Sequence, residues 1–139
     1  MLQSWVFPAF LTFVFWGLWA FVPKLVIARI SPFTAIVYEA IGSVIVAAIV
    51  LIFFRDKVHF TDLSSGGLAI FAGVCGMVGV LSYFWAIKTG PVSIVITVTA
   101  LYPILAILLA LVFLNEAVTV KQIIGMVFAL IGVGLIASK

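Results

Sequence analysis

Five stretches of nearly unbroken apolar sequence dominate this chain, each close to the roughly 20 residues a helix needs to cross a bilayer. They run over residues 2–28, 33–54, 65–87, 92–114 and 120–137, joined by short connections. Hydrocarbon offers no partner for backbone N–H and C=O groups, so spans of this length and composition fold as helices. The expectation is an all-α membrane protein with five transmembrane helices, a single domain over residues 1–139, multi-pass in the cell (inner) membrane. Hydrophobic residues fill 67% of the sequence and charged ones only 8%, so any function has to lie between the helices. The first span has no basic leader and no small-residue cleavage site, and reads as a span rather than a removed signal peptide.

The few charges bear on orientation. Five spans place the two ends of the chain on opposite sides of the membrane. One side receives Arg55, Lys57 and Lys121, the other Arg29, Lys88, Lys139 and, if it counts as a loop residue, Lys24. Orientation follows the Lys/Arg asymmetry between the two sides, and here there is almost none. Two readings fit: ordinary scatter in a small protein with few charges, or dual topology, in which copies insert either way up. No basic run indicates nucleic acid. The lone Cys75 lies inside the third span and reads as helix packing. Trp5, Trp19 and Trp85 fall near span ends, where an aromatic belt would place them.

Helix boundaries are well marked. Ser31-Pro32 supplies a capping hydroxyl and a first-turn proline for the second span. Gly90-Pro91 breaks the chain before the fourth. Thr119 and Gln122 have the spacing of a capping box opening the fifth. Pro8, Pro23 and Pro103 are expected to kink or loosen their helices. Ala69, Ala72, Gly73, Gly76 and Gly79 form a small-residue stripe on the third span, and Gly125, Ala129 and Gly132 another on the fifth. Such stripes let membrane helices approach closely, and both are expected to be packing faces.

One carboxylate sits inside this hydrocarbon. Glu39 is short and cannot reach the headgroups, and a buried acid costs about 2.5–3.5 kcal/mol on insertion scales. It needs a partner, a wet cavity or a proton, and each of these points to transport. Trp16, Trp19, Ala20, Pro23 and Lys24 share one face of the first helix. Lys24 and Glu39 lie at similar depth on either side of the 29–32 turn, so a Lys24–Glu39 ion pair is geometrically available, the alternative being that Lys24 snorkels to the headgroups. Ala35, Gly42 and Ser43 leave a small, open face around Glu39. Tyr83 on the third span, and Tyr102 with Ser93, Thr97 and Ala100 on the fourth, add aromatic and hydroxyl groups suited to a mid-membrane cavity. The expected substrate-binding residues are therefore Trp16, Trp19, Lys24, Glu39, Tyr83 and Tyr102. No metal cluster, phosphate loop or nucleophile–base pair stands out, so neither an enzyme nor a cofactor is expected.

The run Tyr102-Pro103-Ile104, Leu114-Asn115-Glu116, Lys121-Gln122-Ile123-Ile124-Gly125 and Ile131-Gly132-Val133 resembles the last two helices of an EamA domain, the unit of the drug/metabolite transporter superfamily. Trp16-Gly17 with Lys24 resembles its first helix, Ser31-Pro32 the start of its second, and Gly90-Pro91-Val92-Ser93 the link before its fourth. The resemblance implies half of an inverted-repeat transporter, since most members look like two five-helix units fused in tandem, the second upside down. It implies completion by a second unit, here an antiparallel homodimer, a form that dual topology would permit. One departure stands out. Seven residues after the second-helix proline the family often carries arginine, and this chain has Glu39, which reverses the charge.

The expected function is an exporter or exchanger of a small organic metabolite or cation by alternating access, proton-coupled through Glu39, with membrane lipid and a small-molecule substrate as its other partners. The alternatives are a half-transporter or lipid flippase subunit needing a different partner chain, and a non-transporting membrane scaffold.

Overall fold

A computed structural model describes residues 5–138. Residues 2–4 of the expected first span and Lys139 of the charge balance lie outside the described residues. The described residues form helices and connecting turns without a strand. Five stretches are long and apolar enough to cross a membrane: Val6–Ile27, Pro32–Phe53, Leu63–Thr89, Val92–Phe113 and Val120–Ala137. The chain divides into two compact units, Met1–Thr89 and Gly90–Lys139.

The first unit holds α1 (Val6–Ile27), α2 (Pro32–Phe53) and α3 (Leu63–Thr89), with a short 3₁₀ turn at Arg55–Lys57. Ser31 caps α2 as its sequence indicates: its hydroxyl oxygen accepts the Thr34 N–H at 3.1 Å, with Pro32 in the first turn. α3 begins two residues earlier than the expected Ser65, because Asp62 caps it. Asp62 Oδ1 accepts the backbone N–H groups of Ser64 at 3.0 Å and Ser65 at 3.2 Å, while its two oxygens also take both serine hydroxyls. Those hydroxyls, Ser65 first, hold the Asp62 carboxyl well below the usual carboxylate range.

The three helices pack on one another mainly at one end. Pro23 and Ile27 of α1, Pro32 and Ala35 of α2, and Tyr83, Phe84 and Ile87 of α3 are the buried residues of this unit, all near the α1–α2 turn and the end of α3. Farther from that end the apolar side chains are exposed, as lipid-facing residues are. The glycine stripe on α3 does not serve as a packing face within the unit, since a Cβ at Gly73, Gly76 or Gly79 would meet no atom within 4 Å.

The second unit holds α4 (Val92–Thr99), α5 (Tyr102–Phe113) and α6 (Val120–Ala137), with α4 packed on α6. The fourth span is therefore two helices rather than one. Pro103 has no N–H for the Thr99 carbonyl. The chain tightens across the gap, with Leu101 N–H donating to Val98 O at 3.2 Å and Ile104 N–H to Leu101 O at 2.9 Å. The Thr99 hydroxyl bonds back to Val95 and Ile96 carbonyls at 2.9 and 3.0 Å, a pattern that bends helices. Asn115 follows α5 in the left-handed region at φ 52°, a conformation asparagine tolerates. The expected capping box opens α6: Thr119 Oγ1 accepts Gln122 N–H at 3.3 Å and Gln122 Oε1 accepts Thr119 N–H at 2.7 Å. The α6 stripe likewise meets nothing in its unit, since Cβ atoms at Gly125 and Gly132 would stand in open space.

Candidate functional site

Two spans join at a four-residue turn, which brings the end of α1 beside the start of α2. There the indole N–H of Trp19 donates to Glu39 Oε1 at 2.6 Å. Glu39 is half-buried, about one turn beyond the buried Ala35 on α2. Its backbone carbonyl accepts the Ser43 hydroxyl at 3.2 Å, so that hydroxyl is taken up within its own helix. A charge-assisted bond from an indole answers part of the carboxylate's need for a partner without neutralising it.

Trp19 is fixed from its other side by α3. Its ring stacks on Tyr83, with centroids 5.4 Å apart and planes at 23°. Tyr83 is 5% exposed, and its hydroxyl donates to the Ala20 carbonyl of α1. Tyr83 thus holds Trp19 by its ring and the α1 backbone by its hydroxyl. The neighbouring Phe84 ring, itself buried, lies 6.4 Å from that of Tyr83 between centroids, tilted by 52°.

Lys24 takes a different partner from the one expected. Its Nζ donates to the Ile87 carbonyl at 2.5 Å, and no ion pair joins it to Glu39. The reason is local. Ile87 lies in the last turn of α3, where carbonyls have no intrahelical donor, and the residue four places on is Pro91, which has no N–H. An ammonium beside this helix end also meets the negative end of its dipole. Pro91 four residues after Ile87 was the sequence signal for this contact, as it marks a carbonyl in need of a donor.

Trp19, Lys24, Glu39 and Tyr83 are thus gathered at the packed end of the first unit. Trp16, one turn earlier on α1, is 55% exposed. Tyr102 belongs to the second unit, where it opens α5 and is 54% exposed. Of the hydroxyls expected to line a cavity from the fourth span, that of Thr97 is engaged within α4, donating to Ser93 O at 2.7 Å. A shallow groove between α2 and α3, lined by Ile36 of α2 and by Ile70, Gly73, Val74, Met77 and Leu81 of α3, is apolar and includes none of the six expected residues.

Comparison with known proteins gives a consistent result. The model of the EamA-like transporter family matches residues 3–138. An uncharacterised protein of Methanocaldococcus jannaschii is 31% identical over 124 residues, which cover 89% of this chain and 89% of that protein. A protein of Archaeoglobus fulgidus described as an uncharacterised transporter is 30% identical over 142 residues, covering 99% of this chain but 48% of the relative. The chain therefore spans about half the length of that transporter. No solved structure matches it.

Proposed function

This chain belongs to the EamA-like transporter family, and from that premise we propose that it moves a small organic metabolite or cation by alternating access, with Glu39 as the residue that senses charge. It is a multi-pass membrane protein, and we assign it to the cell (inner) membrane. The observation that carries the reading is the half-buried Glu39 carboxylate held by Trp19. A charged acid at membrane depth marks a substrate or proton path by default.

The carboxylate binds either a proton or a positively charged or hydrogen-bonding solute. Competition for one group makes substrate uptake release a proton, and the proton gradient then drives export. Only a ligand that binds two states unequally shifts their populations, and the Trp19–Glu39 bond supplies a difference. An ionised Glu39 holds α1 to α2 through that bond, and a protonated one holds it more weakly.

A second unit completes the pathway. Within each unit the glycine stripes of α3 and α6 meet nothing, and the Archaeoglobus relative is about twice as long as the matched region. A second copy of this chain in the opposite orientation, as an antiparallel homodimer, fits the near-even division of Lys and Arg between the two sides.

The test is exchange in proteoliposomes across a panel of metabolites and organic cations, with Glu39→Asp and Glu39→Gln. Glu39→Asp should retain part of the exchange, and Glu39→Gln should fold but lose proton coupling. Wild-type exchange by Glu39→Gln at every pH would make the carboxylate structural and end this reading.

A further inference from the structure

The residues around Glu39 differ in what they have left to offer a ligand, and this narrows the substrate class. Trp19 occupies Oε1, and no described residue donates to Oε2. One face of the Trp19 ring is covered by Tyr83, yet the residue remains 39% exposed. The nearby hydroxyls are already engaged, Tyr83 on the Ala20 carbonyl and Ser43 on the Glu39 carbonyl. Lys24 is committed to Ile87. What faces an incoming solute is one carboxylate oxygen and the open face of an indole.

We propose that this site takes an alkylated ammonium, tertiary or quaternary, whose positive centre sits between Glu39 Oε2 and the open face of Trp19. The proposal rests on the transporter reading of Glu39 and names the substrate class of that site.

Three competitors are disfavoured on chemical grounds. An anion meets a carboxylate with no available cation beside it. A metal ion would exchange a full shell of water for a single oxygen, since no group of three His, Cys, Asp or Glu side chains gathers among the described residues. A primary ammonium carries three N–H donors and finds one free acceptor, so two are left unsatisfied on leaving water. An alkylated ammonium has at most one donor and is weakly hydrated. Its charge is spread over methyl or methylene groups that lie well against an aromatic face, the arrangement by which aromatic residues recognise quaternary ammonium ligands. Tyr83 contributes indirectly, as the residue that holds the Trp19 ring in place.

The test is calorimetric titration of the purified protein with three water-soluble probes: choline, its uncharged carbon isostere of the same size, 3,3-dimethylbutan-1-ol, and its unmethylated parent, ethanolamine. Choline should bind at least about tenfold more tightly than either of the others. Trp19→Leu should weaken choline binding about three- to thirtyfold, the range spanned by cation–π contacts, and Glu39→Gln by at least about tenfold. Trp19→Phe, the gentler change, keeps a ring and should lose less than Trp19→Leu. Equal binding of the isostere or of ethanolamine, no choline binding, or wild-type choline binding by Trp19→Leu would each overturn the proposal. Glu39-dependent exchange of a neutral or anionic metabolite without choline binding would refute the cation class and leave the transporter reading intact. Choline binding that survives Glu39→Gln would refute the proposal, while the transporter reading falls only if Glu39→Gln also exchanges like wild type.

Discussion

Trp19 and Glu39, twenty residues apart in sequence, meet through an indole N–H···carboxylate bond of 2.6 Å that ties α1 to α2. Hydrogen bonds to charged groups contribute about 1.5–3 kcal/mol where the partners are sheltered from water. Trp19→Phe and Glu39→Gln should therefore be non-additive in a double-mutant cycle of stability, with a coupling of about 1–2 kcal/mol after allowing for partial exposure. Strict additivity would mean that the bond contributes nothing to the fold.

Lys24 behaves as a tether between α1 and α3 rather than as a counter-ion. Lys24→Ala should lower stability by about 1–2 kcal/mol by leaving the Ile87 carbonyl without a donor. Combined with Glu39→Gln, its effect should add within roughly 0.5 kcal/mol. A larger coupling, measured by unfolding in mixed micelles, would indicate a Lys24–Glu39 interaction in solution.

Asp62 predicts a response to acid. Its folded pKa lies below its unfolded value because Ser65 and Ser64 donate to the ionised form. Its stabilising contribution is therefore complete above the ordinary aspartate range, about pH 4, and is lost as pH falls through the depressed folded value. Amide exchange at Ser64, Ser65 and Gly66 should stay slow from neutral pH to about pH 4 and rise only in stronger acid. Asp62→Ala should raise that exchange at every pH, whereas Asp62→Ser should restore much of the protection as an alternative cap.

Pro103 sets the break between α4 and α5. Pro103→Ala supplies an N–H to the Thr99 carbonyl and should join the two helices, with slow exchange of the new amide at 103. If the break is a working hinge, transport should fall while stability rises. An unchanged exchange pattern around residues 99–104 would show that Thr99 back-bonding alone maintains the break.

The near-even Lys/Arg balance predicts that a reporter fused after Lys139 is found on both sides of the membrane. Two or three lysines added to one face should drive every copy into a single orientation and abolish transport, and an oppositely biased partner should restore it. A reporter on one side only would refute the antiparallel homodimer and leave the family assignment untouched.

The helices were legible because their causes are local. A span announces itself by some twenty apolar residues, and Ser31-Pro32, Thr119 with Gln122 and Gly90-Pro91 mark boundaries through side chains that bond within one turn. Glu39 was legible as the residue of interest because a carboxylate in hydrocarbon is costly wherever it points. Its partner was not. Sequence depth put Lys24 within reach, but depth fixes position along the membrane and leaves azimuth around each helix open. Azimuth is decided by packing among α1, α2 and α3, which turned Trp19 toward Glu39 and Lys24 toward Ile87. Which carbonyl lacks a donor, and which side chain arrives to supply one, depends on three helices at once. The chain alone determined its spans, its caps and the one acid within a span. The tertiary structure decided which groups that acid and its neighbours bind, because in a medium without water each polar group takes whichever partner the packing brings within reach.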